Sequence, residues 1–140
     1  MAPLREALCH MHPDLIHLQH VDEFDRLLSE SHTRPLLVFK HSFTCGTSAE
    51  ALDELIEHLN EDIVASGGPD TKYAIVTVQT HRDVSNAVTT KLGVRHETPQ
   101  ALLIRNGRVV WAASHFRVTA DAVKKALSAC PEHGPGAAPQ

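Results

Sequence analysis

The chain has 140 residues, and at roughly 150 residues per domain this is one domain, large enough to bury a core without disulfide staples. It carries 13 Lys and Arg against 17 Asp and Glu, a net charge of −4, with 4% aromatics and no basic block, so the charged and stacking groups that nucleic-acid binding needs are missing. An apolar content of 42% excludes a disordered chain, and no run reaches the ~18 apolar residues of a membrane span. Arg5, Glu6, His10 and His12 interrupt any signal-peptide core, so a cytoplasmic protein with no nucleic-acid or membrane partner is expected.

In chain order, residues 1–13 carry little pattern and are expected to form an N-terminal arm or a short helix. Asp14–Leu18 reads as a short strand. Asp22 is expected to cap a helix whose positions Val21, Phe24, Leu27 and Leu28 share one face. Leu36–Phe39 is a continuous apolar run of strand length, the pattern of a strand covered on both faces. Thr47-Ser48-Ala49-Glu50 reads as a capping box, opening a long helix with Leu52, Leu55, Ile56, Leu59 and Ile63 at helical spacing. Ser66–Asp70 is a short loop, and Tyr73–Val78 is a second buried-type strand.

The stretch Thr80–Asp83 opens another helix, with Val84, Ala87, Val88 and Leu92 inside and Gly93 as its stop. Ala101–Arg105 and Arg108–Ala113 read as strands joined by Asn106-Gly107, residues that tolerate the positive φ of a type I′ hairpin turn. Thr119 then caps a last helix with Val123, Ala126 and Leu127. The final ten residues hold three Pro and two Gly and are expected to form a disordered tail over 131–140. The order β-α-β-α-β-α-β-β-α implies an α/β fold with a mixed central sheet and helices on both faces, which is the element order of a thioredoxin-like fold over residues 14–130. Element order alone licenses no activity.

Cys9, Cys45 and Cys130 are an odd number, far apart, which suits a reducing compartment and a thiol kept for its reactivity. Cys45 lies between a buried strand and the first turn of a helix, where unpaired N–H groups and the helix dipole favour a thiolate nucleophile. A small buried cysteine filling space is the plainer alternative. Lys40 and His41 would add positive potential, although strand alternation sends them to opposite faces. Cys45-Gly46-Thr47-Ser48 is a C-x-x-C motif whose second cysteine is serine. A single sulfur cannot close a disulfide on itself, so it must pass through a mixed disulfide that an outside thiol, or a distant cysteine such as Cys130, resolves. Thr98-Pro99, about fifty residues on and just before a strand, stands where a thioredoxin-like fold carries its cis-proline loop. Cys9-His10-Met11-His12 with His17 and His20 matches no zinc spacing, and Cys130-Pro131-Glu132-His133 is equally weak, so no metal site is expected.

Val38-Phe39-Lys40-His41-Ser42-Phe43-Thr44-Cys45, the segment Gly93-Val94-Arg95-His96-Glu97-Thr98-Pro99-Gln100, and the hairpin through Trp111 and Phe116 resemble the monothiol bacilliredoxin family, also called YtxJ-like general stress proteins. The resemblance implies a thioredoxin-like protein with no tightly bound cofactor. Its Cys45 would take bacillithiol, the Cys-GlcN-malate thiol, off S-thiolated proteins. On that reading the backbone around Gly46, Thr47 and Ser48 stabilises the thiolate, Thr98 and the cis-proline Pro99 dock the substrate, and His41 or Thr44 tunes or contacts the thiol. The Gly46-Thr47 pair replaces the Pro and β-branched residue common in that family and approaches the Cys-Gly-Phe-Ser of monothiol glutaredoxins, which leaves glutathione as the alternative co-substrate. A monomer or weak dimer is expected. The rival readings are a module that shares an iron–sulfur cluster through Cys45, and a non-catalytic stress adaptor.

Overall fold

The structure, a computed structural model, describes residues 15–66 and 71–129. Five strands and four helices alternate in the expected order: β1 Leu15–His17, α1 Val21–Glu30, β2 Leu36–His41, α2 Gly46–Ser66, β3 Lys72–Thr77, α3 Arg82–Leu92, β4 Gln100–Arg105, β5 Arg108–Ser114 and α4 Ala120–Ala129. The expected arm and tail, the Ser66–Asp70 loop beyond Ser66, Cys9, Cys130, and the side chain of Ile63 lie outside the described part.

The strands form one sheet in the order β1-β3-β2-β4-β5, with β1, β3 and β2 parallel and β4 and β5 antiparallel. β2 is central, and all six of its residues are buried, as a continuous apolar run requires. It runs two residues further than the apolar run because Lys40 pairs with Val76 and His41 with Thr77 in the β3 register. Alternation along β2 divides the core in two. Leu37 and Phe39 pack with Leu52, Leu55 and Leu59 of α2 and Val123 of α4. Leu36 and Val38 pack on the opposite face with Phe24 and Leu27 of α1 and Val84 and Val88 of α3. Each fully buried large apolar side chain contributes about 1.5–3 kcal/mol, so both layers hold the sheet.

Helix boundaries show where local signals were misread. α1 begins at Val21 with His20 as its cap, not Asp22, because the Glu23 carboxylate reaches back to accept the N–H groups of Gln19 and His20. Those same bonds, that from Gln19 first, hold the Glu23 pKa below its usual value. α3 starts after His81, the Thr80 hydroxyl turning back to the Thr77 carbonyl. It stops at Gly93 with φ of 66°, a left-handed conformation in which glycine avoids a Cβ penalty. Asn106 and Gly107 have φ of 55° and 75°, as the I′ hairpin demands. Ser31, at the end of α1, adds a tie no local pattern shows: its carbonyl and Oγ accept the N–H groups of Asn106 and Gly107. Thr119 caps α4 through the Ala122 N–H.

Candidate active site

The C-terminal end of β2 carries the short segment Ser42–Cys45 into α2. The Cys45 N–H donates to the Ser42 carbonyl at 3.3 Å, closing a turn, and the Cys45 carbonyl accepts the N–H groups of Ser48 and Ala49 at 3.1 Å each. Cys45 is therefore the residue at which the helical bonding starts. The expected capping box at Thr47 lies inside the first turn, because the Cys45 carbonyl has already taken the first helical bonds. Cys45 is half-buried and is the one cysteine among the described residues. A helix leaves its leading N–H groups without intrahelical partners, so those of Gly46 and Thr47 belong to the end that faces the thiol loop, whereas the Ser48 N–H is used within the helix.

The Ser48 side chain faces the interior. It is fully buried, its Oγ accepts the Ser42 N–H at 2.9 Å, and the same oxygen lies 2.8 Å from His41 Nδ1. His41, 4% exposed and stacked on Phe39, also faces inward, and burial pushes its pKa down, so it is neutral at pH 7. The side chains of both residues, of which His41 was expected to tune or contact the thiol, thus tie the end of β2 to the first turn of α2. Thr44 and Gly46 are exposed, and Thr47 and Thr98 are half-buried.

Gln79 was missed in the sequence. Its Nε2 donates to Ser42 Oγ at 2.7 Å and to Thr44 Oγ1 at 3.2 Å, and its Oε1 accepts the Phe43 N–H at 3.3 Å. One amide thus grips all three residues before Cys45. The available signal was topological: parallel neighbours β2 and β3 deliver their following loops to the same end of the sheet.

Lys40 points to the face opposite His41, as alternation requires. It is fully buried, donates from Nζ to Thr89 Oγ1 of α3, and sits 3.0 Å from His96 Nδ1. Burial pushes its pKa down to about 8. Its amine is thus engaged by α3 and by His96.

Thr98-Pro99 is cis, as expected for this loop. Lys40 and Gln100 are register partners, so the Cys45 loop leaves β2 and the Thr98-Pro99 segment enters β4 at the same end of adjacent strands. The Pro99 carbonyl accepts the His115 N–H at 2.9 Å, tying the segment to the turn after β5, where His115 adopts φ of 57°. A cleft of about 590 Å³ opens there, lined among others by Arg95, Glu97, Gln100, Ser114, Phe116 and Arg117. Glu97 is held below its ordinary pKa, first by a hydrogen bond from Ser114 and then by the positive charges around it. Phe43, in the Cys45 loop, and Phe116, beside the cleft, expose 55% and 77% of their surface. Among the described residues no helix is long and apolar enough to cross a membrane, and no cluster of three potential metal ligands occurs.

A five-stranded mixed sheet with helices on both faces, a cysteine at the start of a helix and an adjacent cis-proline segment defines a thioredoxin-fold thiol–disulfide oxidoreductase. Residues 16–123 match the monothiol bacilliredoxin BrxC family, and the chain belongs to that family. It is also similar to a solved structure described as having a thioredoxin fold, with oxidoreductase activity proposed for it, at 30% identity over 84% of this chain and 97% of that one, with a TM-score of 0.72. A poplar thioredoxin h mutant (18% identity, 88% and 87% of the two chains, TM-score 0.65) and a thioredoxin from Trypanosoma brucei brucei (14%, 84% and 90%, 0.63) share the fold.

Proposed function

We propose that the protein removes a low-molecular-weight thiol, bacillithiol in the first instance, from S-thiolated proteins by monothiol exchange at Cys45. The observation that carries this reading is the placement of a single half-buried cysteine at the start of α2, with serine turned into the core where a second cysteine would stand. The Cys45 thiolate attacks the small-thiol sulfur of the mixed disulfide. That S–S bond breaks, the electron pair leaves on the protein sulfur, and a new S–S bond joins Cys45 to the small thiol. The thiolate of a second small-thiol molecule then attacks the small-thiol sulfur of this adduct, releasing the symmetrical disulfide and restoring the Cys45 thiolate. Thr98, half-buried and beside the Cys45 loop, offers backbone groups to an extended substrate. The exposed rings of Phe43 and Phe116 supply apolar surface for a protein partner.

The test is direct. A reporter protein carrying one bacillithiol disulfide is incubated with the protein and free bacillithiol, and both proteins are followed by mass spectrometry. Transfer of the thiol to Cys45, and its loss in Cys45→Ser, is expected. Release of the thiol by Cys45→Ser at the unmutated rate would overturn the reading. A glutathionylated reporter run in parallel assigns the preferred thiol.

A further inference from the structure

Lys40 is a fully buried cation within a strand, and its amine is held by a hydroxyl and an imidazole rather than by a carboxylate. An ammonium group has donors only, so His96 Nδ1 accepts and the imidazole carries its proton on Nε2. The register partner of Lys40 is Gln100, and directly paired antiparallel residues face the same side of a sheet. Gln100 is itself buried and donates from Nε2 to the Arg95 carbonyl at 2.9 Å. One cross-strand pair thus grips two successive residues of the segment between α3 and β4, Arg95 by its backbone and His96 by its ring. Thr89 anchors the same amine to α3. Thr98 lies two residues beyond His96, while Cys45 lies five residues beyond Lys40 on the strand at the other end of the grip.

We propose that Lys40, through its contact to His96 and alongside the Gln100 to Arg95 bond, is a positioning residue that holds the Thr98 docking segment in place relative to the Cys45 loop. The proposal rests on the reading that this segment docks the substrate. A pre-ordered edge lowers the ordering cost of binding, so its loss weakens docking and leaves the sulfur chemistry alone. His96 is exposed, so variants there test the contact without disturbing the core. Asn at 96 places an amide oxygen close to where Nδ1 stands and keeps the acceptor, whereas Leu removes it.

The experiment compares Lys40→Met, His96→Leu and His96→Asn by three measurements: hydrogen exchange of the peptide spanning 93–100, Cys45 alkylation by iodoacetamide, and turnover of a thiolated reporter protein. For Lys40→Met and His96→Leu the expected results are exchange and KM each raised about tenfold, with kcat and alkylation within about twofold, the size of effect that one buried hydrogen bond commands. His96→Asn is expected to match the unmutated protein. Unchanged exchange in Lys40→Met and His96→Leu, or His96→Asn behaving as His96→Leu does, would overturn the proposal. Faster exchange with an unchanged KM would overturn its docking half. If the unmutated protein turns over no reporter, the exchange-chemistry reading fails, and the grip on 93–100 is still decided by hydrogen exchange.

Discussion

Ser48 Oγ lies 2.8 Å from His41 Nδ1 and accepts the Ser42 N–H at 2.9 Å, so the residue three places after Cys45 fastens the end of β2 to the first turn of α2. Ser48→Ala leaves a buried N–H without its acceptor and is expected to cost about 1–3 kcal/mol in urea unfolding. Ser48→Cys restores a dithiol motif but replaces a good acceptor with a weak, larger one. Its reduced form is expected to be less stable than the unmutated protein, and equal or greater stability would show that the hydroxyl network contributes nothing.

Gln79 reaches the Cys45 loop from the turn after β3 and bonds Ser42, Phe43 and Thr44. Gln79→Glu removes both donated bonds and introduces a negative charge beside the loop, which disfavours a neighbouring thiolate. Alkylation of Cys45 at neutral pH is expected to slow about threefold to tenfold in Gln79→Glu, and less in Gln79→Ala. Equal rates in both variants would assign the effect to loop order rather than charge.

Lys40 makes stability depend on pH. Its pKa falls from 10.5 to about 8 on folding, so between these values the unfolded chain binds more protons than the folded one. Stability therefore rises as pH increases from about 8 to about 10.5, by up to roughly 3 kcal/mol, and below pH 8 the full cost of the buried charge is present. Denaturant titrations at pH 7 and pH 10 are expected to show this gain in the unmutated protein and its absence in Lys40→Met.

Gly46 opens α2 with a negative φ, and a Cβ built on it meets nothing within 4 Å. Neither space nor backbone conformation requires glycine there. Gly46→Ala is expected to raise stability by about 0.5–1 kcal/mol through helix propensity and a less free unfolded chain. A lower melting temperature would contradict this. Comparing its rates on bacillithiol and glutathione adducts would show whether the bare backbone beside Cys45 sets the choice of thiol.

Local patterns in the chain determined the element order, the covered central strand, the Asn106-Gly107 hairpin, the Gly93 stop and the Thr119 cap. Each depends on a residue and its neighbours within about one helical turn or two strand positions, and that information is written locally. The cysteine at a strand-to-helix junction and the proline before β4 were legible for the same reason. Alternation also sent Lys40 and His41 to opposite faces of the sheet, leaving their partners undetermined.

Those partners were decided by the tertiary structure alone. Lys40 meets His96 across 56 residues, Gln79 meets Ser42 across 37, and Gly107 meets Ser31 across 76. No periodicity encodes such pairs, because each polar side chain carries the same donors and acceptors wherever it stands. Burial removes water as a competitor and leaves each group to bond whatever the strand order places beside it. That is why the side chains of Ser48 and His41, legible by position near the active site, lie buried and bonded to one another, with the Ser42 N–H as a third partner.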